Sequence, residues 1–591
     1  MTFIEKILMR ISFLTRLLTR QQKMMILAVI IGIVAGLATY VFEQLLHFIE
    51  HGLVSWFNVD KAGWLYLAYP TVGIVAASLF VKHVIKDDIS EGVTKVLFAM
   101  SKRDSRIKPH NCYSSMVGGA LTIGFGGSVG PEAPIVLTGA AIGSNVGRLM
   151  KFNYRNTTLM LCCGVAATLA AVFKAPITGI VFVLEILMLD ITMSAVVPLL
   201  ISAVTATALT FFLDGFEPKF NPGITTFHLK NLPYYAIMAV ACGFVSYYFK
   251  SMNSRISALV GKIKTQQGRW IIGGVALGIL IFLFPPLYGA GYETMENMMH
   301  GNPEELFNNS LFYDFRNIPL VAIIYMLIII FVKVIAMSIT NAAGGVGGTF
   351  APSLFVGAVT GGTIAFACNT WFGLDLPIGA FALVGMAGVM SGVMNAPLTS
   401  IFLIAELASG YGLFVPLMLV SSLSFGIEYY LDPDSIYTKK LRKNNELLTH
   451  NKDQAVLVFL NVDGLLETDF VPINENATLE DMTKCIMKAT RNIFPVINDG
   501  NELMGIILLD DLRADMFDKS KYANPITNYM VPPPDTIMRK ELLASVLDKF
   551  EASHAWNLPV VDKHNQYLGF ISKSRILSAY RDKLVEMSQG E

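Results

Sequence analysis

Glu132 stands in the run Gly-Gly-Ser-Val-Gly-Pro-Glu-Ala-Pro from Gly126 to Pro134, and a carboxylate in that company suits one kind of chemistry. Glycine lets the backbone turn close to a ligand, and proline early in a helix sacrifices no N–H that the helix needs. The free N–H groups of the first turn then attract an anion. A glutamate at such a terminus can occupy the anion's position itself and leave it when protonated or displaced. A full lysine or arginine in the path would trap the anion, whereas several weak sites allow it to exit. A related run, Gly-Gly-Val-Gly-Gly-Thr-Phe-Ala-Pro, extends from Gly344 to Pro352, 218 residues further on. Downstream of each run comes a second matching pair, Phe173-Lys-Ala-Pro-Ile-Thr-Gly-Ile-Val-Phe and Met394-Asn-Ala-Pro-Leu-Thr-Ser-Ile-Phe-Leu, which aligns Pro176 with Pro397 at an offset of 221. The region is duplicated. Irregular backbone at membrane depth survives only where it is buried in protein or lines a polar path. Two such breaks, one per repeat, point to a transport site near the midplane where helix N-termini meet an anion.

The elements that must hold these runs are membrane helices. The 591 residues are 53% hydrophobic and 15% charged, with a mean hydropathy of +0.53, which excludes a soluble protein of this size. Apolar runs are read at about 24–49, 66–82, 112–124, 135–150, 157–173, 177–213, 234–249, 269–288, 318–340, 353–371, 377–393, 397–408 and 413–430. Several fall short of the roughly 20 residues of a straight span, which predicts tilted or broken helices. The first membrane repeat is placed at 24–215 and the second at 216–440. Residues 1–23 carry Lys6, Arg10, Arg16, Arg20 and Lys23 against Glu5, an amphipathic helix expected on the cytoplasmic side. They lack the compact apolar core and small-residue cleavage site of a secretory signal. Short loops suggest a multi-pass protein of a prokaryotic inner (plasma) membrane. The six cysteines read as free thiols without metal-ligand spacing. With no His-Glu-x-x-His, Walker loop or Gly-x-Ser-x-Gly, the chain is not read as an enzyme, and no metal, required cofactor or nucleic-acid partner is expected.

Composition shifts near residue 432, and a linker is placed at 441–454. Beyond it the chain repeats itself after 64 residues: Phe494-Pro495-Val496 with Met504-Gly505, then Leu558-Pro559-Val560 with Leu568-Gly569. This resembles a tandem pair of CBS domains, 455–520 and 521–591, and the resemblance implies cytoplasmic α/β modules. In that family a Ser/Thr and an Asp contact adenine nucleotides. Here Asp511 stands in the first module with Leu508 at the hydroxyl position, and Ser572 in the second with Arg575 at the acid position. Two readings stay open: a dimerising cap without ligand, or one composite adenine-nucleotide site from Asp511 and Ser572.

Over about 20–440 the chain resembles the CLC family of chloride channels and proton/chloride exchangers. The fold so implied is a mainly α membrane protein, an inverted repeat of many tilted and broken helices, assembled as a homodimer in the lipid bilayer with one pore per subunit. Many members read Gly-Gly-Ser-Val-Gly-Arg-Glu-Gly-Pro, so the resemblance makes Glu132 the gate, flanked by Gly130, Pro131 and Ala133. It assigns Thr349, Phe350 and Ala351 to the second anion cradle and Tyr437 to the inner ion. The family's Gly-Ser-Gly-Ile-Pro loop falls on Ser90, Glu91, Gly92, Val93 and Thr94, with Glu91 replacing the ion-coordinating serine unless a one-residue slip brings up Ser90. An ionised Glu91 would repel chloride by several kcal/mol. It must therefore be protonated, turned away, paired with a cation or part of the gating. Pro131 replaces an arginine. The inner glutamate that supplies protons in well-coupled exchangers is Ile186 here, which cannot titrate. Glu185 either makes a structural hydrogen bond or salt bridge, or moves protons; it and Glu406 occupy near-equivalent places in the repeats. Lys174 either adds positive potential at a vestibule or snorkels.

The resulting expectation is a gated passive channel for chloride or a similar small anion. A proton-coupled chloride antiporter is the alternative on the same scaffold. A divalent-cation transporter with a CBS tail would need convergent carboxylates, whereas Glu43, Glu132, Glu185, Asp190 and Glu406 lie in separate segments.

Overall fold

A computed structural model of the protein describes residues 19–55, 65–187, 193–215, 220, 227–408, 410–443, 460–541 and 543–588. Residues 1–18 of the expected N-terminal helix, Asp190 and residues 444–454 of the linker lie outside them. The chain divides into two compact units, Met1–Leu447 and Leu448–Glu591.

The first unit is helical. Its first half contains α1 (Arg20–Ser55), α2 (Leu65–Leu79), α3 (Gly92–Lys102), α4 (Ser114–Gly124), α5 (Glu132–Leu149), α6 (Tyr154–Phe173), α7 (Pro176–Glu185) and α8 (Met193–Asp214). The second contains α9 (Leu232–Gly261), α10 (Gln266–Leu283), α11 (Tyr292–Met299), α12 (Pro319–Ala342), α13 (Phe350–Phe372), α14 (Ile378–Met394), α15 (Pro397–Leu407) and α16 (Phe414–Leu431), with the short α17 (Lys439–Lys443) after it. Among the described residues, nine helices are long and apolar enough to cross a membrane.

The duplication read from the sequence is a duplication of packing. On α5, Gly139 and Gly143 lie against Gly164 and Met160 of α6 so closely that a Cβ on either glycine would strike a facing carbonyl. Their counterparts Gly357 and Gly361 on α13 meet Gly385 and Phe381 of α14 in the same way. Small residues four apart let backbones touch, and dispersion rather than water exclusion holds such pairs in lipid. The outcome is that residues Asn156–Phe173 of α6 are all buried.

Both inner helices also stop alike. Lys174 after α6 and Asn395 after α14 adopt left-handed backbone (φ 54° in each), and Ala-Pro then starts α7 and α15 with proline in the first turn. The long apolar reading at 177–213 is broken accordingly into α7 and α8. Reciprocal bonds tie the halves together. Thr122 Oγ1 accepts from the Val346 N–H (2.9 Å), while Thr340 Oγ1 accepts from the Ser128 N–H (3.3 Å). Glu185 accepts from the N–H groups of Leu398 (3.0 Å) and Thr399 (2.7 Å), and Glu406 from those of Ile177 (3.0 Å) and Thr178 (2.8 Å). Each glutamate closes its own helix and caps its counterpart's start.

The second unit holds two copies of one module. In the first, β1 (Ile473–Asn474) runs parallel to β2 (Ile493–Ile497), which pairs antiparallel with β3 (Leu503–Leu508). In the second, β4 (Ile537–Met538), β5 (Asn557–Val561) and β6 (Tyr567–Ser572) repeat that order, and the pairs Ile473↔Val496 and Ile537↔Val560 keep the 64-residue offset. Phe470, Ile506 and Phe570 form a buried cluster between the modules.

Candidate anion-conducting site

The two glycine runs meet. Gly130 and Gly348 exchange backbone hydrogen bonds, Gly130 N–H to Gly348 O at 3.0 Å and Gly348 N–H to Gly130 O at 2.7 Å, as a single antiparallel bridge. Upstream, Gly126 (φ 91°) and Gly344 (φ 104°) occupy left-handed conformations that side chains resist. They turn each chain back toward the other, so α5 and α13 start beside one another in the buried interior.

Glu132 is the first residue of α5 and is 2% exposed. Its carboxylate reaches across to the partner helix: Oε2 accepts from the Ala351 N–H at 3.4 Å, and Oε1 accepts from the Tyr292 hydroxyl at 3.0 Å. The acid thus sits on the N-terminus of α13, where amide donors and the helix dipole favour negative charge. Thr349 Oγ1 lies at that terminus, within hydrogen-bonding reach of Tyr437. The buried Tyr437 hydroxyl approaches it and lies within the field of Glu132. Phe350 is buried and stacks on Phe173 (5.2 Å between ring centres), with Phe182 at 6.4 Å.

Gly92, the first residue of α3, presses its backbone on Ala133; a Cβ there would collide with the Ala133 carbonyl. Thr94 Oγ1 donates to the Tyr437 carbonyl at 3.4 Å. Gly92, Gly130, Ala133, Thr349, Phe350, Ala351 and Tyr437 therefore gather around Glu132. Ser90 and Glu91 turn elsewhere. The Ser90 hydroxyl donates to Asp88 at 2.6 Å, and the half-exposed Glu91 carboxylate accepts from Lys440 at 2.9 Å. Just upstream, Asp87 lies within 3.4 Å of Lys95, Lys108 and His110. Burial acts to raise its pKa, but the Lys95 hydrogen bond and the Lys95 and Lys108 charges together outweigh it and hold the carboxyl below its ordinary value. Ile186 is buried in the turn after α7.

Sequence reasoning passed over three features. Tyr292 is one, and its position after the glycines of Gly289-Ala-Gly291 gave little signal. A cavity of about 720 Å³ is another; Pro131 and Tyr292 line it together with Glu43, Glu50, Glu293 and Lys174. The Lys174 ammonium pairs with Asp214 at 3.2 Å. The third is Lys333, wholly buried in α12, which an intramembrane cation inside the run 318–340 announces.

A family profile described as "Voltage gated chloride channel" matches residues 72–429, more than half of the chain. The chain belongs to this family. Transport of chloride across a membrane is the activity that membership carries. CBS-domain profiles match 462–518 and 526–582 of the same CLC protein. Its relatives include a putative chloride channel protein ClcB-like of Ralstonia nicotianae, 26% identical over 72% of this chain and 97% of the relative. Another is the H(+)/Cl(-) exchange transporter ClcA of Vibrio vulnificus, 29% identical over 67% and 84%. Among solved structures, a slow cyanobacterial Cl-/H+ antiporter has a TM-score of 0.62 at 20% identity, covering 72% of this chain and 98% of its own. A eukaryotic CLC transporter has 0.61 at 16%, covering 93% and 97%. These structures share the fold.

In the tail, Asp511 is exposed and Ser572 buried. The Ser572 hydroxyl donates to Glu467 Oε1 (3.3 Å) and accepts from the Arg575 N–H (3.1 Å).

Proposed function

We propose that this CLC protein is a gated passive pathway for chloride or a similar small anion, with Glu132 as the gate. The observation that carries the reading is the Glu132 carboxylate hydrogen-bonded to the Ala351 N–H, at the start of the helix that would otherwise receive the anion. The anion would be held by the backbone around Gly130, Pro131 and Ala133, by Thr349, Phe350 and Ala351, and by the Tyr437 hydroxyl, with Gly92 at the inner approach. Protonated or displaced, Glu132 vacates the site and anions pass. Passive conduction is favoured because Ile186, apolar and buried, stands where the resemblance calls for an inner proton carrier.

A second reading, proton-coupled antiport, has a specific observation behind it, since relatives and structural neighbours carry exchanger or antiporter names. Liposomes containing the pure protein separate the two. A chloride gradient should drive sustained chloride flux without uphill proton movement; uphill protons would overturn the passive reading. Glu132→Gln removes the charge that competes with the anion. As charge-assisted hydrogen bonds are roughly twice as strong as neutral ones, flux at neutral pH should rise about tenfold and lose its pH dependence. An unchanged flux and pH profile would remove Glu132 from the gate. The same reading includes assembly as a homodimer in an inner membrane, with the N-terminal segment and CBS pair in the cytoplasm.

A further inference from the structure

Lys333 is wholly buried in α12, and no carboxylate pairs with it among the described residues. A buried ammonium is costly unless polar groups solvate it. Here the Gly289 carbonyl (3.0 Å) and the Leu287 carbonyl (3.4 Å) do so, and the ammonium lies 4.7 Å from the centre of the Phe355 ring. Both carbonyls belong to the irregular segment joining α10 to α11, where Gly289 and Gly291 are left-handed (φ 57° and 81°). That segment delivers Tyr292. The ring of Tyr292 packs edge-on against Phe220 (5.7 Å), and its hydroxyl donates to Glu132 Oε1 at 3.0 Å, leaving Oε2 to the Ala351 N–H.

We propose that Tyr292 is the latch of the gate, its phenol holding the ionised Glu132 carboxylate on the anion site, and that Lys333 clamps the segment that positions it. The inference rests on Glu132 being the gate. A hydrogen bond to a carboxylate stabilises the charged form above the neutral one, so the latch is strong when Glu132 is ionised and weak once it is protonated. Other charged and titratable groups surround it. Glu43 and Glu50 of α1 act on the Tyr292 hydroxyl through their charge, His47 of α1 and Glu293 and Glu296 of α11 line the cavity with the Lys174–Asp214 pair, and Tyr437, just before α17, faces Glu132. Pro131 offers the carboxylate neither an N–H nor a charge. Without the phenol, this mostly negative surround would favour the protonated, released gate.

The test is chloride flux through the full chain in liposomes, measured across external pH. Tyr292→Phe keeps the ring on Phe220 and removes one hydroxyl. The ionised form loses one donor, so half-maximal acid activation should move to higher pH by about one unit, a roughly tenfold change in proton concentration, and flux at neutral pH should rise. Should Glu132→Gln flatten the profile while Tyr292→Phe leaves it unmoved, the latch is overturned and the gate stands. Should Glu132→Gln leave the profile intact, gate and latch fall together. Lys333→Met should shift the profile in the same direction and add nothing in the Tyr292→Phe background; additive shifts would overturn the clamp. Phe355→Leu, which removes the ring beneath the ammonium, carries the same expectation should Lys333→Met not fold.

Discussion

Glu91 is the residue at which chemistry and position conflict most, because a carboxylate belongs nowhere on an anion's route unless its charge is met. The sequence left four resolutions open, and the structure supplies two of them: the side chain is half exposed, and its charge is paired with Lys440 at 2.9 Å. Lys440 lies 349 residues away, so no spacing rule could have joined them. An exposed pair adds little stability, since salt and side-chain entropy offset most of its attraction. Its importance is to the local potential. Lys440→Ala should strand a negative charge beside the start of α3 and slow chloride flux roughly twofold to fivefold at low ionic strength, an effect that high salt screens. Glu91→Ser in that background should restore the rate. Flux in liposomes at two ionic strengths checks both, and a Lys440→Ala loss that survives high salt would show that the lysine acts by some other means.

At the scale of elements, Glu185 and Glu406 make the hydrogen bonds that the structural reading of the twin acids expects. Each accepts two backbone N–H bonds and one threonine hydroxyl at the start of the opposite short helix, with Thr399 Oγ1 at 2.7 Å and Thr178 Oγ1 at 2.6 Å. This joins α7 and α15 by the same contact made twice, with three donors on each carboxylate. Glu185→Gln should lower the stability of the folded protein by about 2 kcal/mol, because an amide offers one acceptor oxygen and no charge. Thermal unfolding in detergent should show a lower midpoint with anion selectivity unchanged; altered selectivity would place Glu185 on the ion path. Glu406→Gln should behave alike, and the double variant should lose less than the sum because the two share one interface. Much of this level was legible beforehand. The offsets of 218 and 221 located equivalent helices, and short apolar runs such as 397–408 announced broken ones. What could not be read was where a run divides, as in 177–213, or that Thr122 would bind Val346 while Thr340 binds Ser128. Those facts belong to tertiary pairing, which periodicity does not encode.

Taken whole, the molecule is two duplications, and in each the copies differ at the candidate site residues. In the membrane unit Glu132 corresponds to Phe350 at the 218-residue offset, so only the first copy carries an acid at its helix start while the second supplies the amide it binds. In the tail the sheets keep one register, but Ser572 corresponds to Leu508 and Arg575 to Asp511. That asymmetry weakens a nucleotide site instead of creating one. The Ser572 hydroxyl is already engaged by Glu467 and the Arg575 N–H, and Glu467 Oε2 is buried, with Arg491 as its nearest cation at 3.7 Å. A phosphate brought to Ser572 would meet the Glu467 carboxylate, a repulsion of several kcal/mol at intermediate dielectric. Adenine nucleotides should therefore change chloride flux through the full chain by less than about twofold. They should also leave its thermal unfolding midpoint where it is, since a ligand that binds the folded state raises that midpoint. Glu467→Gln removes the repulsion while leaving Ser572 in place, so any latent affinity should emerge in that variant first. A saturable rise in the unfolding midpoint of the unmodified chain would instead mean that Asp511 and Ser572 form a working site despite the Glu467 carboxylate beside Ser572.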